Sequence, residues 1–157
     1  QVAELFTDPE ARKIIEVDVA MIDSYCDVIG ILEPEIEKTA QQHDRHALML
    51  LRSIKGVGQI IALVLLYEIQ DIHRFETVQR FASYARLVKC THESAGKKKG
   101  TGGAKIGNPH LKWALSEAAV SFIQNNPRAG KFAENLARAH GKGKALAIVA
   151  HKLGRAI

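Results

Sequence analysis

The sequence predicts a mainly α protein in which a long, coiled-coil-like helical arm precedes a compact helical domain. Isoleucine recurs every seven residues in the first part of the chain, and helix start and stop signals bracket the later apolar segments. The chain is 46% hydrophobic and 25% charged, which is ordinary for a protein that buries a core. No apolar run approaches the roughly 18–20 residues that span a bilayer, so we expect no membrane partner.

The first predicted element is the arm, residues 1–47, most of which is expected to be helical. Tyr25 and Leu32 each follow a heptad isoleucine by three residues, which gives an a/d-like seam. The heptad isoleucines are Ile15, Ile22, Ile29 and Ile36. Gly30 and Pro34 predict a kink, or two helices, at this point. The seam fits a helix that lies on its own core, and equally a dimerising arm.

Charge is divided unevenly along the chain. Residues 1–50 carry eleven acidic side chains against four basic ones, whereas residues 51–157 carry six acidic side chains against eighteen basic ones. The formal net charge of +5 therefore hides an acidic arm and a basic domain. A basic domain most often meets a polyanion, and nucleic acid is the default partner. A solvated basic surface without a ligand is the plainer alternative.

The compact domain, residues 48–157, is predicted to begin with a helical hairpin. In "LLRSIKGVGQIIALVLLYEI", two apolar runs flank a turn that contains Gly56 and Gly58. Glycines permit a tight turn and bring backbone N–H groups to the surface at a helix N-terminus. The turn resembles that of helix-hairpin-helix modules, so both glycines are candidate DNA-binding residues. Such a contact would hold the DNA backbone without reading a base, although any tight hairpin also uses glycine.

The later helices are defined by their termini. A helix over roughly residues 77–85 comes next, with aromatic residues turned inward. Asn108 and Pro109 then begin a clear helix, because asparagine caps and proline suits the first helical position. Two shorter helices, over about residues 129–139 and 144–155, complete the domain.

A cationic, glycine-rich loop, residues 92–107, leads into the Asn108 helix. From Ser94 to Ser116 there is no acidic residue, and five glycines make the segment supple. We expect the loop to be mobile until phosphates bind it. It does not match the phosphate-binding pattern G-x-x-x-x-G-K-[ST], so a nucleic-acid backbone is a better ligand than ATP. The candidate DNA-binding residues of the loop and the helix after it are Lys97, Lys98, Lys99, Lys105, Asn108 and Lys112.

Ser94 stands at the entrance of this loop. A serine that attacks a phosphodiester needs cations to stabilise the transition state and a partner to accept its proton. The lysines can supply the first requirement, but no residue spacing identifies the second. A solvated loop serine or a cap is the ordinary alternative.

Metal and redox chemistry receive little support from the sequence. Cys26 and Cys90 lie far apart and are expected to be unpaired thiols, which fits a reducing cytoplasm. His43 and His46 share no helical face with a cysteine or a close carboxylate pair. We therefore expect no metal site and no cofactor in this chain.

Several motifs in order resemble one family. They are the G-V-G hairpin, "EIQDIHRF", "ASYARL", the loop containing Ser94-Ala95-Gly96, and "AKIGNPHLKWALSEAA". Together they resemble the C-terminal Tnp domain of insertion-sequence transposases of the 110/116/902 family. The resemblance is strong over residues 48–125 and moderate over 142–157. It covers the arm only as a helical linker.

This resemblance implies a DNA recombinase that moves an insertion element with the help of a structured bridge RNA. It implies that a serine of the Tnp domain, here Ser94, is the nucleophile that joins covalently to DNA. Thr91 and Thr101 are lesser candidates, because this chain has Ser-Ala-Gly where the family has Ser-Gly. It also implies Mg²⁺, held by a DEDD cluster in an N-terminal RuvC-like domain that this fragment lacks. The fragment alone is expected to bind DNA better than it cuts.

Two other functions remain open from the sequence. The chain could be a helix-hairpin-helix DNA-binding module without chemistry, in which Ser94 only caps or contacts phosphate. It could also be an interaction domain whose arm drives homo-oligomer formation, which recombination of two duplexes would also require.

Overall fold

In a computed structural model the chain is mainly helical, which confirms the predicted fold class. The structure describes residues 5–88, 93–94, 97–98 and 106–157. These ranges contain six α-helices, a 3-10 turn at Ile72–Arg74 and a small antiparallel ladder. The helices are α1 Pro9–Ser53, α2 Gln59–Ile69, α3 Val78–Tyr84, α4 Pro109–Asn125, α5 Pro127–His140 and α6 Lys142–Gly154, and the strands are β1 Glu93–Ser94 and β2 Lys97–Lys98.

The chain divides into two compact units, Gln1–His43 and Asp44–Ile157. We call them the first unit and the second unit. The division falls inside α1, at the residue where the backbone leaves helical geometry. Asp44 has φ −152° and ψ 82°, and its carboxylate accepts a hydrogen bond from the N–H of Ala47 at 2.8 Å. An acidic side chain that binds the N–H three residues on is an N-cap, so a new helical segment begins here.

The helix break predicted at Gly30 and Pro34 is found instead at Asp44. Both residues lie within α1, and the described helix keeps helical φ and ψ there. Pro34 cannot donate to the carbonyl of Gly30, four residues earlier. Because both residues are exposed, water can satisfy that carbonyl, and the helix continues through the proline.

The helical seam of the first unit is open to solvent. Ile22 and Ile29 are 59% and 50% exposed, and Tyr25 and Leu32 are 63% and 52% exposed. Within the described residues, the seam therefore does not lie on a core of its own.

The core of the second unit is built around α4, which packs against α2, α5 and α6. Leu65 of α2 and Leu111 and Leu115 of α4 are fully buried. Burial of each leucine contributes roughly 1.5–3 kcal/mol relative to exposure. The buried face of α4 is otherwise alanine-rich, with Ala114, Ala118 and Ala119, and these small side chains let the neighbouring backbones come close.

Candidate nucleic-acid interface

The residues just before the cationic loop are hydrogen-bonded to the residues just after it. The backbone N–H of Asn108 donates to the carbonyl of Tyr84 at 2.6 Å. The Arg86 Nε donates to the carbonyl of Gly107 at 3.0 Å. Tyr84 and Arg86 precede the loop, and Gly107 and Asn108 follow it. Two hydrogen bonds therefore close the loop at its root.

Gly107 allows this closure because it needs no room for a side chain. Its φ is +93°, in the left-handed region that glycine adopts readily. A Cβ on Gly107 would lie 2.5 Å from the carbonyl oxygen of Tyr84. On the opposite side of the root, Arg86 also has a positive φ of 55°, which costs a non-glycine residue roughly 1–2 kcal/mol. Its side chain is held in place by the bond to Gly107.

Asn108 joins the loop root to two helices. Its Oδ1 accepts hydrogen bonds from the N–H groups of His110 at 2.8 Å and Leu111 at 3.1 Å, which caps α4. Its Nδ2 donates to Oε2 of Glu68, in α2, at 2.6 Å. At 8% exposure, Asn108 is the buried polar residue of the described chain. A hydrogen bond to a charged carboxylate contributes roughly 1.5–3 kcal/mol, so Asn108 is firmly held.

Tyr84 and Arg74 complete this cluster. Hydrogen bonds from Asn108 and Arg74 to the phenol, with the charge of Arg74, lower the pKa of Tyr84, while burial and Glu68 oppose the shift. The Arg74 guanidinium lies 4.9 Å from the Tyr84 ring centre and 4.6 Å from that of Phe75, and it donates to the Glu68 carbonyl at 3.2 Å. The loop-root cluster is defined as Glu68, Arg74, Tyr84, Arg86, Gly107 and Asn108.

The predicted nucleophile and two of the predicted cations lie on the paired strands. The backbone of Ser94 in β1 pairs with Lys97 in β2, and Glu93 pairs with Lys98. The other loop candidates, Lys99, Lys105, Thr91 and Thr101, lie outside the described residues. Most of the loop lies there too, so its predicted mobility stays a prediction.

Lys112 and Asn108 have different surroundings although both are predicted to contact DNA. Lys112 is exposed on α4, one turn after the cap. Its side chain is therefore accessible to a ligand at the surface. The Asn108 side chain instead bonds to Glu68 and to the first turn of α4. This arrangement favours a positioning role for Asn108 over direct contact with a phosphate.

The two hairpin glycines also differ. Gly56 has φ +93°, and a Cβ there would lie 2.5 Å from the carbonyl oxygen of Ala118 and 2.7 Å from the N of Phe122 in α4. Packing against α4 is therefore sufficient to require glycine at residue 56. Gly58 is exposed, nothing lies within 4 Å of its Cβ position, and it begins α2 without a side-chain cap. Of the two, Gly58 is better placed to offer the helix terminus to an anion.

Two other kinds of site are absent from the described part of the chain. No three histidine, cysteine, aspartate or glutamate side chains lie together there in a group that could hold a metal ion. No described helix is both long enough and apolar enough to span a membrane.

Sequence reasoning missed Glu68, Tyr84, Arg86 and Gly107 as parts of the site. These residues gain their role from hydrogen bonds that join positions 21 to 40 apart in the sequence. One local signal was present, since Gly107 directly precedes a capping asparagine and a proline. A glycine before a helix cap indicates a backbone turn that other residues adopt with difficulty.

Comparison with known proteins identifies the class of protein to which this fold and site belong. The sequence model of the Transposase IS116/IS110/IS902 family matches residues 48–134, more than half of the chain. The chain belongs to this family. The matched region contains the hairpin, the cationic loop and the whole loop-root cluster.

One relative matches over a longer stretch. The chain is 25% identical over 117 residues to the transposase for insertion sequence element IS1111A of Coxiella burnetii (strain RSA 493 / Nine Mile phase I). This similarity covers 74% of the chain and 32% of the relative. The chain thus spans about a third of the length of that transposase.

Proposed function

We propose that this chain is the part of a DNA transposase that binds DNA and supplies Ser94 as the nucleophile for strand cleavage and exchange. The closed loop root supports the proposal most directly. It anchors both ends of the segment that carries Ser94 and the lysines to a helical body, within the region that matches the family. A nucleophile on a segment with fixed ends can be aligned with a bound phosphate at a smaller entropic cost.

In the proposed step, the Ser94 Oγ attacks a DNA phosphorus atom and its proton passes to a general base. The P–O bond to one deoxyribose oxygen breaks, and that oxygen takes up a proton as it leaves. Serine remains joined to DNA through a phosphodiester, so one such bond replaces another. Attack by a hydroxyl of a second DNA end then rejoins the strands and releases Ser94. The role of the lysines is to stabilise the negative charge of the transition state.

The Mg²⁺ that the family resemblance implies does not fit the described residues, since no ligand group is found among them. No step is therefore assigned to a metal in this chain. We propose that the acidic cluster belongs to another domain of the intact transposase, and that a structured guide RNA is a further partner of that protein.

The exposed seam of α1 is proposed to join two copies of the chain. Exposed apolar side chains at a and d positions are the pattern by which helices pair in coiled coils. Pairing of two protomers would bring two Ser94 residues to the two duplexes that a recombinase must join.

The test uses the intact transposase with radiolabelled element-end DNA. We expect a covalent protein–DNA adduct, visible by denaturing gel and intact mass, that is lost in Ser94→Ala. Thr91→Ala and Thr101→Ala are the matched controls and should retain it. An adduct that survives Ser94→Ala but disappears in either threonine variant would assign the nucleophile elsewhere.

A second candidate function is DNA binding without chemistry, and the exposed, uncapped start of α2 at Gly58 favours it. Strand transfer by the Ser94→Ala variant distinguishes the nucleophile function from DNA binding without chemistry. If the intact protein with Ser94→Ala still transfers strands at the wild-type rate, this chain is a binding module.

A further inference from the structure

The last two helices carry more positive charge than the loop. Residues 127–157 contain seven arginine and lysine residues and one acidic residue, Glu134. The acid-free run from Ser94 to Ser116 contains five lysines. The seven bases are Arg128, Lys131, Arg138, Lys142, Lys144, Lys152 and Arg155, and each of them is exposed. Residues 51–157 carry twelve more basic than acidic side chains, and residues 127–157, which lie outside the loop and the hairpin, account for six of these twelve.

The bases of α5 lie along one face of the helix. Arg128, Lys131, Asn135 and Arg138 follow one another at steps of three, four and three residues, which places them on one side of an α-helix. All four are exposed, while the buried residues of α5 are the alanines 129 and 133. At 1.5 Å per residue the row is about 15 Å long. A row of this length can contact several successive phosphates of a nucleic-acid strand.

Helix α6 adds further basic side chains to this surface. One of them contacts an exposed aromatic side chain of α5. The Lys152 Nζ lies 5.4 Å from the ring centre of Phe132, and Phe132 is 40% exposed. The two side chains connect the outer faces of the helices. Lys144 lies in the first turn of α6 and Arg155 directly follows the last residue of the helix; both are exposed, so the basic surface spans both helices.

Ion pairing within the fold does not account for these charges. Within the described residues, none of the seven forms an ion pair, whereas ion pairs do hold Lys38 to Glu35 and Arg80 to Glu76. Arg128, Lys142 and Lys144 lie in the first turns of their helices, which contain no acidic residue. Cations at a helix N-terminus are disfavoured by the helix dipole. A surface that only confers solubility mixes both signs of charge, whereas this one has seven bases against one acidic residue, the exposed Glu134.

We propose that the exposed faces of α5 and α6 bind the phosphodiester backbone of a nucleic acid, as a contact separate from the loop and the hairpin. The inference rests on the proposed function, because it takes from that function the premise that the partner is a nucleic acid. The row of arginine, lysine and asparagine side chains matches the groups that bind phosphate. Duplex DNA and structured RNA share this chemistry, and the test distinguishes them.

The experiment is fluorescence anisotropy of the 157-residue chain with a labelled 20-base-pair DNA duplex and, separately, a labelled stem-loop RNA, across salt concentrations. The test variant carries Arg128→Gln, Lys131→Gln and Arg138→Gln. The control carries Arg12→Gln, Lys13→Gln and Lys38→Gln, which remove the same charge from exposed positions of the first unit. Glutamine keeps helix propensity close to that of lysine and arginine. Circular dichroism confirms that both variants remain helical.

We expect the slope of log K against log[salt] to become shallower by about 2.7 in the test variant, since each lost phosphate contact removes about 0.9. The control should keep the wild-type slope. A change with DNA only, with RNA only, or with both would identify the source of the phosphates, and each supports the inference.

Wild-type binding with the same slope in wild type and test variant, for both probes, would overturn the inference and leave the proposed function in place. A further variant, with Lys97, Lys98 and Lys99 changed to alanine, separates the two contacts. If it binds like wild type while the α5 variant is weakened, the loop contact is wrong and this inference stands. Failure of the wild-type chain to bind either probe would overturn both.

Discussion

Gly56 and Gly58 occupy the same turn but are glycine for different reasons. Gly56 has a positive φ and its Cα rests against the α4 backbone, whereas Gly58 has φ −78° and open space around its Cβ position. The first is required by packing and the second is compatible with an external ligand. Sequence reasoning assigned both to DNA, because it could not see α4 beside Gly56.

This difference predicts the stability of two variants. Gly56→Ala is expected to lower the free energy of unfolding by at least about 2 kcal/mol, because it combines a disfavoured φ with overlap against α4. Gly58→Ala, the matched control, should cost less than about 1 kcal/mol. Urea denaturation followed by circular dichroism measures both. Equal losses would contradict the packing role of Gly56.

The lowered pKa of Tyr84 gives a second prediction at this scale. The chain has three tyrosines, and the one that ionises first in a titration at 295 nm should disappear in Tyr84→Phe and persist in Tyr67→Phe. Because the folded-state pKa is lowered, ionised Tyr84 contributes its full stabilisation of the fold above the pKa of an unfolded tyrosine, about 10. That contribution is lost as the pH falls through the folded-state pKa. An unchanged first phase in Tyr84→Phe would show that the hydrogen bonds from Asn108 and Arg74 do not act on this phenol.

Helix termini were the most predictable elements. The Asn108-Pro109 start of α4 was expected, and the structure gives Asn108 the hydrogen bonds of a cap. The interruption of α1 was misplaced, because an exposed proline is tolerated where water can reach the freed carbonyl, and a capping aspartate is a stronger signal. Asp44 carried that signal in the sequence and was overlooked.

The two glycines at the turn between α5 and α6 give a prediction about the effect of glycine on helix stability. Gly143 lies in the first turn of α6 with nothing within 4 Å of its Cβ position, whereas Gly141 has φ +84°. We expect Gly143→Ala to raise the free energy of unfolding by about 0.5–1 kcal/mol, because alanine loses less backbone entropy in a helix. Gly141→Ala should lower it. The midpoints of thermal unfolding measure both effects. A higher midpoint for Gly141→Ala would contradict the positive φ at residue 141.

For the whole molecule, the sequence predicted the class of fold and the cationic character of the loop, but not the loop root. The reason is that Glu68, Tyr84 and Asn108 are distant in sequence and acquire a common role only when α2, α3 and α4 have packed. The bases of α5 and α6 were visible in the sequence but were counted only as part of the overall charge. Their arrangement on the helix faces became informative once their exposure was known.

Self-association is the prediction that belongs to the whole molecule. We expect Ile22→Asp with Ile29→Asp to reduce the mass measured by sedimentation to that of a monomer, since both lie on the a/d seam and are exposed. Val17→Asp with Ile31→Asp is the matched control, because these residues are also exposed, 54% and 70%, but lie off the seam. Equal masses for the two pairs would mean that the seam is not the contact.

The N-cap at Asp44 gives the second unit its own starting signal. Its first helix does not depend on the preceding forty residues for initiation, because the aspartate itself satisfies the N–H of Ala47. The preceding helix is therefore exchangeable in principle. A natural recombination event, or a protein engineer, could replace it with another helix while the second unit keeps its fold.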